Sequence, residues 1–485
     1  MAASSPMADE KHFTVQLDTV IAASMLLGHP LGDRFHVRNA QSRDLGRHFR
    51  QVSKTELRAP SQRNSFACAP VDLLMSRGEN GLEFHLLEFN GTGIGGISSL
   101  PGPVVACFLD SLREMATQVS DPEGVVLLGI SGQESASNPR RNGQMHEKML
   151  FAEALTRGLQ QRHGTAWISS VPLLLHDPRE TTRRQGPVVV MGYMKSFLEH
   201  LRLDANGRLT LLGRRVSGVL NDRFLLNVVQ RFGADLDTTG LIALNRTYLP
   251  GGNKSVAYEL IHEHLANEPF PYMPENVSYE TAHTREALIE VVQRWKHFHK
   301  RFVIKPHATG AGHGIEFFLD PSESDDEVIA KIDGSLRTTE VYYGLTGGAL
   351  PYTVCPFVDA CCINRPGHDL HGHKFELRVV VYRDGDALHA YPSIIKVAST
   401  PWDPAAKTRA SLINNITAAT EQARRAEDYV LPFCNPDTLA LLGLSVGEVG
   451  DLCRFLARYA RHVLDRIEDE PRRYTIDAPA PLTLK

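Results

Sequence analysis

The stretch Arg301–Phe318, RFVIKPHATGAGHGIEFF, constrains this chain more than any other. A β-type run, Phe302-Val303-Ile304, delivers Lys305. A loop with Gly310, Gly312 and Gly314 follows, and Ile315 to Leu319 resumes an apolar strand. Strand, glycine-rich turn, strand can lay backbone N–H groups against phosphate oxygens, because glycine permits positive φ and close approach. Lys305 adds a point charge for the same anion. A glycine hairpin that holds no ligand would read the same way. The spacing is not GxxxxGK[ST] and the loop does not open a helix, which argues against a P-loop or a dinucleotide fingerprint.

The alternation of strands and helices sets the fold class as α/β. Val125–Ile130 reads as a buried strand, Met145–Arg162 as an amphipathic helix, and Trp167–Leu175 and Val188–Met191 as further strands, which implies a parallel, covered sheet. Polar residues crowd the segment after the first strand: Gly129 to Gly132, then Gln133, Glu134, Asn138, Arg140 and Arg141. That is where α/β folds bind ligands, although a solvated loop fits as well. Leu209–Val219 predicts a strand pair, and Arg215 and Arg223 are candidate carboxylate clamps. Thr238–Leu244 reads as a strand. The turn Gly251-Gly252-Asn253 opens a helix and sets Lys254 at its start, where a lysine and a helix N-terminus can share an anion.

Two other stretches carry chemistry. Near the front, APVDLLM and FHLLEFN form a probable hairpin, with Asp72 on one arm and Glu88 and Asn90 two apart on the other. Three oxygen ligands on one face suit Mg²⁺, and a hairpin with polar edges is the plain alternative. Further on, HKFELRVVVY alternates strictly, so Lys374, Glu376 and Arg378 share one face. That face is either solvated and salt-bridged or lines a nucleotide cleft. Leu388–Ser399 reads as the next strand pair, with Lys396. His368, His371 and His373 sit in a polar loop and could bind zinc, with a solvated loop the favoured reading. Thr19–Leu27 and Asp44–Val52 read as short helices, Pro101–Gln118 as a helix that Ser98 or Ser99 could cap, and Leu444–Ile467 as a long final helix.

The bulk properties exclude several classes. The 485 residues suffice for roughly three domains. A formal net charge of −4 offers no basic footprint for nucleic acid. No apolar run is long enough to span a bilayer. The opening residues, MAASSPMADEKH, lack a signal-peptide pattern and read as a tail. Seven cysteines without a CxxC point to a reduced, cytoplasmic protein. Cys361 and Cys362 read as small apolar residues.

Taken together, the motifs resemble the ATP-grasp ligases, and most closely their tubulin–tyrosine-ligase-like branch. GGNK resembles the turn that carries the branch's first ATP-contacting lysine, here Lys254, and VIKP with its glycine loop matches the strand lysine at Lys305. KFELR resembles K-F-D-[LI]-R, IIKVAS resembles R-x-[AS]-S with Lys396 in place of arginine, and LINN resembles L-T-N, which points to Asn414. The linker Val354-Cys355-Pro356-Phe357 lacks the usual glutamine or glutamate near adenine. The family's terminal E-x-N strand is absent from the C-terminal end, but VDLLM…LLEFNGTGIGG supplies such a strand pair near the front. The order is that of a circular permutation. It implies an N-terminal segment (1–120) lending its metal-binding hairpin to a C-terminal subdomain (356–485). A pre-ATP-grasp, Rossmann-like α/β domain (121–237) and a glycine-loop subdomain (238–355) lie between them.

The resemblance implies a carboxylate–amine ligase that joins amino acids through an acyl phosphate, with ATP and two Mg²⁺. Lys254, Lys305, Gly310, Gly312, Gly314, Lys374, Glu376 and Asn414 would hold the nucleotide. Asp72, Glu88 and Asn90 would hold the metal, and Arg378 and Lys396 would be catalytic. Small-molecule amino-acid substrates are expected, with neither nucleic acid nor membrane as partner. Amino-acid ligation onto a polypeptide, an ATP-grasp kinase and a non-catalytic nucleotide module are the alternatives. The oligomeric state stays open.

Overall fold

The computed structural model describes residues 40–78, 81–91, 97, 100–130, 142–176, 184–220, 222–247, 253–275, 277–298, 301–307, 309, 312–343, 350–406, 409–412 and 429–471. The chain opens with α1 (Ala40–Val52), β1 (Thr55–Glu56), α2 (Pro60–Ser65), the hairpin β2 (Cys68–Gly78) and β3 (Gly81–Phe89), and α3 (Gly102–Ala116). Next come β4 (Val125–Ile130), α4 (Asn142–His163), β5 (Trp167–Ser170), α5 (Val171–His176), β6 (Val188–Tyr193) and α6 (Met194–His200). They lead into β7 (Leu201–Leu203), β8 (Leu209–Leu211), β9 (Arg214–Leu220), α7 (Asp222–Phe232) and β10 (Ile242–Leu244). Then follow α8 (Lys254–Asn267), β11 (Glu280–Ala282), α9 (Arg285–Phe298), β12 (Phe302–Pro306), β13 (Glu316–Phe318), α10 (Asp325–Tyr343) and β14 (Tyr352–Pro356). The last third holds β15 (Phe375–Asp384), β16 (Ala387–Val397), α11 (Arg409–Leu412), β17 (Val430–Pro432), α12 (Pro436–Leu442) and α13 (Val446–Asp469).

These strands form three sheets. The main one is antiparallel, in the order β1-β16-β15-β2-β3, with β17 also on β16. A hairpin from the front of the chain therefore lies against strands from its last third. The register sets Arg378 opposite Asp72, Glu376 opposite Lys396, and Asp72 opposite Glu88. Directly opposed residues project to the same side of a sheet, so these five charged side chains share one face. Two bulges interrupt the ladder, one after Arg378 and one after Asp72. The first sits beside Pro392, which has no N–H to give to a central ladder and is accommodated at such a break.

The second sheet runs β5-β6-β4-β9, all parallel, with β10 parallel to β9 and the short β8 and β7 antiparallel at the edge. Its central strands β4 (VVLLGI) and β6 (VVVMGY) are near-continuous apolar runs because both faces are covered. Val126 and Leu128 face α3 and α4 within the large core that also backs the main sheet, while Val125 and Leu127 face a separate cluster with Phe197, Phe224 and Val228. The third sheet is antiparallel, β11-β14-β12-β13. Phe302, Ile304, Tyr352 and Val354 pack under α9 and α10, and the alternate residues Val303 and Cys355 meet Tyr258 of α8.

One asparagine joins the first two sheets. Asn245, just after β10, is fully buried at φ 61°, a left-handed conformation that asparagine tolerates better than most residues. Its Oδ1 accepts from the N–H groups of Ala67 and Cys68 at 2.7 and 3.1 Å, and its Nδ2 donates to the Cys68 carbonyl at 2.8 Å. The start of β2 is thereby pinned to the parallel sheet.

Some expected elements differ. The run Trp167–Leu175 is a strand only to Ser170 and then turns into α5, where Pro172 occupies the first turn of a helix, a position it favours. Leu388–Ser399 is covered by one long strand, β16, paired with β15. Pro101 occupies the N-cap of α3; Ser98, Ser99 and the predicted helix Thr19–Leu27 lie outside the described residues. Among the described residues no helix is long and apolar enough to cross a membrane.

Candidate active site

A chain of ion pairs crosses the main sheet. Arg378 donates from Nε and Nη2 to the two oxygens of Asp72 at 2.7 and 2.6 Å, and Lys396 Nζ reaches Asp72 Oδ2 at 3.0 Å. Lys396 also pairs with Glu376. Asn90 donates its amide to Asp72 Oδ2 at 3.0 Å. Asp72, Arg378 and Lys396 are buried, as is Lys374, so this is not the solvated strand face that alternation alone allows. Burial by itself would push the Asp72 carboxyl up. Arg378 and then Lys396 outweigh it and hold the group well below the usual carboxylate range. Arg378 is in turn held above its ordinary value, with burial opposing and Asp72 favouring the charge.

Helix α8 closes the other side. Its N-cap Asn253 accepts from Ser255 N at 3.0 Å, and Lys254 stands at its first position as the turn sequence predicts. Lys254 Nζ lies 3.4 Å from Glu88 Oε2 at the edge of the main sheet. One turn further along, Tyr258 takes a 2.8 Å hydrogen bond from Lys305 Nζ, with Cys355 Sγ 3.8 Å from the phenol oxygen. Lys305 is buried, which works against its charge. Cys355, Tyr258 and, farther off, Glu88 outweigh burial and raise the ammonium above the ordinary lysine range. Lys254 and Lys305 thus approach Glu88 from the third sheet's side.

The glycine loop is described only in part, and Gly310 lies outside the described residues. Gly312 and Gly314 both have φ 71°. A Cβ on Gly314 would sit 2.3 Å from Thr339 Cγ2, and its carbonyl accepts from Ser335 Oγ at 2.5 Å, so this glycine is required for packing on α10. Lys374 is spent on the linker after β14. It donates to Asp359 Oδ1 at 2.9 Å and to the Ala360 carbonyl at 2.7 Å, with the Trp402 ring centre 4.7 Å away.

Several other predicted residues stand elsewhere. Asn414, the polar segment 131–141 with Gln133, Glu134, Asn138, Arg140 and Arg141, and the side chain of Arg223 lie outside the described residues. Arg215 is at the opening end of β9, bonded to the Thr239 carbonyl, whereas a ligand at a parallel sheet would sit beyond the strands' closing ends. The histidine loop does not converge. His368 Nδ1 accepts from Leu370 N, and His373 Nδ1 bonds the Ala398 carbonyl. Cys361 and Cys362 are half-buried free thiols, and burial raises both.

Sequence reasoning passed over Tyr258, Asp359 and Trp402, which hold two of the lysines. It also missed Glu147 and Lys148, a buried neighbouring pair 3.4 Å apart on α4, of which Glu147 acts electrostatically on Arg378. A tyrosine inside an apolar helix reads as core, and nothing local separates this one. The adjacent Glu147-Lys148 in a helix flanked by apolar residues was the one available signal.

The fold resembles two solved structures. One is a candidate gamma-glutamylcysteine synthetase from Methylobacillus flagellatus KT, 14% identical, covering 89% of this chain and 98% of that one, with a TM-score of 0.38. The other is a glutathione synthetase-like effector from Globodera pallida in its apo form, 13% identical, covering 79% and 84%, with a TM-score of 0.34. No protein-family model and no curated protein matches the chain.

Whether the acidic edge suits a divalent cation can be judged from its donors. Among the described residues no group of three or more His, Cys, Asp and Glu is placed to hold a metal; this edge offers two carboxylates and an amide. Glu88 is partly open and has Lys254 as counter-charge. Asn90 gives its N–H to Asp72, leaving its amide oxygen as an acceptor. These hard oxygens fit Mg²⁺, which binds through few carboxylates and keeps waters and phosphates as its other ligands. Asp72 would reach a cation only by exchanging one of its basic partners.

Proposed function

We propose that this chain is an ATP-dependent carboxylate–amine ligase of the ATP-grasp type, circularly permuted, forming an amide bond between amino acids and releasing ADP and phosphate. One observation supports the reading above all others: the acidic hairpin β2–β3 lies in register with β15 and β16, so Asp72, Glu88, Arg378, Lys396 and Glu376 share one face. Lys254 and Lys305 approach that face from α8 and β12. On this reading segment 1–120 completes the C-terminal subdomain 356–485. Residues 121–237 form the preceding α/β domain and 238–355 the glycine-loop subdomain.

The chemistry follows from the charges. Lys305 and Lys254 hold the nucleotide phosphates, and Glu376 accepts from the nucleotide. Glu88 and Asn90, with Asp72 behind them, would hold Mg²⁺, which when bound would neutralise charge on the nucleotide phosphates. A substrate carboxylate oxygen attacks the γ-phosphorus, the bond to the β-bridging oxygen breaks, and ADP leaves. The resulting acyl phosphate is attacked at carbon by a neutral amine. Phosphate departs with the C–O electron pair, and the nitrogen gives up a proton. Arg378 and Lys396 stabilise the transferring phosphoryl group and then the oxyanion. The test is ADP release against a panel of amino-acid pairs, with mass spectrometry of the product. An amine-dependent ADP signal with a mass equal to the two substrates minus water is expected. ADP release with a phosphorylated product and no condensation would overturn the ligase assignment.

A further inference from the structure

We infer that Tyr258 is a positioning residue that keeps the Lys305 ammonium free for an anion, an inference that rests on the nucleotide-binding reading above. The basic residues of the crevice are held in different ways. Lys254 meets Glu88, Lys374 meets Asp359, Lys396 meets Asp72 and Glu376, and Arg378 meets Asp72. Each is paired with a carboxylate. Lys305 is held by a neutral phenol at 2.8 Å. An ammonium has three N–H donors and a phenol accepts one, so among the described residues two donors, on a charge with no carboxylate in contact, remain for phosphate oxygens.

The phenol is itself fixed. Tyr258 is 2% exposed, and its hydroxyl lies 3.8 Å from Cys355 Sγ, a contact in which either group can donate. The Lys305 Nζ also lies 5.6 Å from the centre of the same ring. Burial holds the phenol well above its ordinary pKa, so it stays neutral when Lys305 is charged. Lys254 and Tyr258 are four residues apart on α8 and so share one helix face, and the helix that meets Glu88 also orients Lys305. A purely structural tyrosine would need no such arrangement. Phenylalanine would fill the same space.

The test uses the full-length protein and an adenosine-directed sulfonyl fluoride that reacts with an uncharged lysine. Labelling of Lys305 at one fixed, mildly alkaline pH is followed by mass spectrometry, with and without ATP. In parallel, ATP affinity is measured by calorimetry. Tyr258→Phe removes the acceptor and keeps the ring. The labelling rate without ATP is expected to rise about tenfold and ATP affinity to fall about tenfold, since a hydrogen bond to a charged group has been lost. Unchanged rate and affinity in a folded Y258F protein would overturn the inference. Tyr258→Leu gives the same readout if the phenylalanine variant does not fold. Cys355→Ala removes the thiol and leaves the Tyr258–Lys305 bond in place; ATP affinity is expected to hold, and a fall as large as that of Y258F would assign the effect to the thiol instead. Failure of the underlying reading looks different: ATP would not protect Lys305 in the unaltered protein.

Discussion

Asp72 and Arg378, 306 positions apart in the chain, stand opposite each other on β2 and β15, and the guanidinium grips both carboxylate oxygens. Lys396 and Asn90 converge on the same carboxylate. Because all of this is buried, the group serves stability as well as chemistry.

Asp72→Ala is expected to lower unfolding stability by about 3–5 kcal/mol, since it takes from Arg378 the carboxylate that grips it and from Lys396 one of its two carboxylate partners. Urea unfolding checks this. Replacing Asp72 and Arg378 together by leucine should recover part of the loss. The pH sign follows from the depressed carboxyl. Its stabilisation is complete above the ordinary aspartate pKa and is lost only as acidity rises below it.

Glu88→Gln separates chemistry from folding. The residue is partly open and pairs with Lys254 across 3.4 Å, so thermal stability should stay within about 0.5 kcal/mol. Turnover is expected to fall about a hundredfold or more. Near-normal ADP release in this variant would remove the acidic edge from the mechanism.

Gly314→Ala should loosen the third sheet. The added methyl meets Thr339 at 2.3 Å and the backbone holds φ 71°, so a loss of about 1–3 kcal/mol is expected. Trimming the neighbour with Thr339→Ala in the same chain should return only the steric part. A double-mutant cycle in guanidinium reads the difference.

His264 on α8 predicts a second pH effect. Its ring packs among Phe455, Tyr459 and His462, and Glu268 stands 4.0 Å away. Burial first, then His462 and Arg458, push its pKa down to about 4. The unfolded chain takes up the proton near pH 6.5 and the folded chain does not. Stability therefore falls as the pH drops from about 6.5 to about 4, by about 3 kcal/mol from this residue. Urea midpoints of the unaltered protein and His264→Phe across that range should converge at neutral pH and diverge below it.

How much of this was legible beforehand depends on whether the signal was local. The alternation in HKFELRVVVY places Lys374, Glu376 and Arg378 on one face, and the hairpin pattern at VDLLM and FHLLEFN holds in the structure. Both rest on the two-residue period of a strand. That Asp72 sits opposite Arg378, or Lys396 opposite Glu376, is a matter of register between distant strands, which no local pattern encodes. The burial of these charges was equally hidden, because it depends on distant segments, among them Lys254 of α8 beside Glu88 and Glu147 of α4 acting on Arg378. The partner of Lys374 was hidden in the same way, since it is the turn after β14 that brings Asp359 to it. The strand-to-helix switch at Ser170 was missed for another reason: a helix of six residues is too short to show a helical period.

Helix α8 touches the acidic edge through Lys254, the third sheet through Tyr258, and α13 through His264 and the Ala257 carbonyl, which accepts from Tyr459. The last long helix is thus a distant foundation for the crevice. A lesion there would first misalign the two lysines served by α8, and on the proposed reading the grip on phosphate would be lost while the strands themselves were still intact.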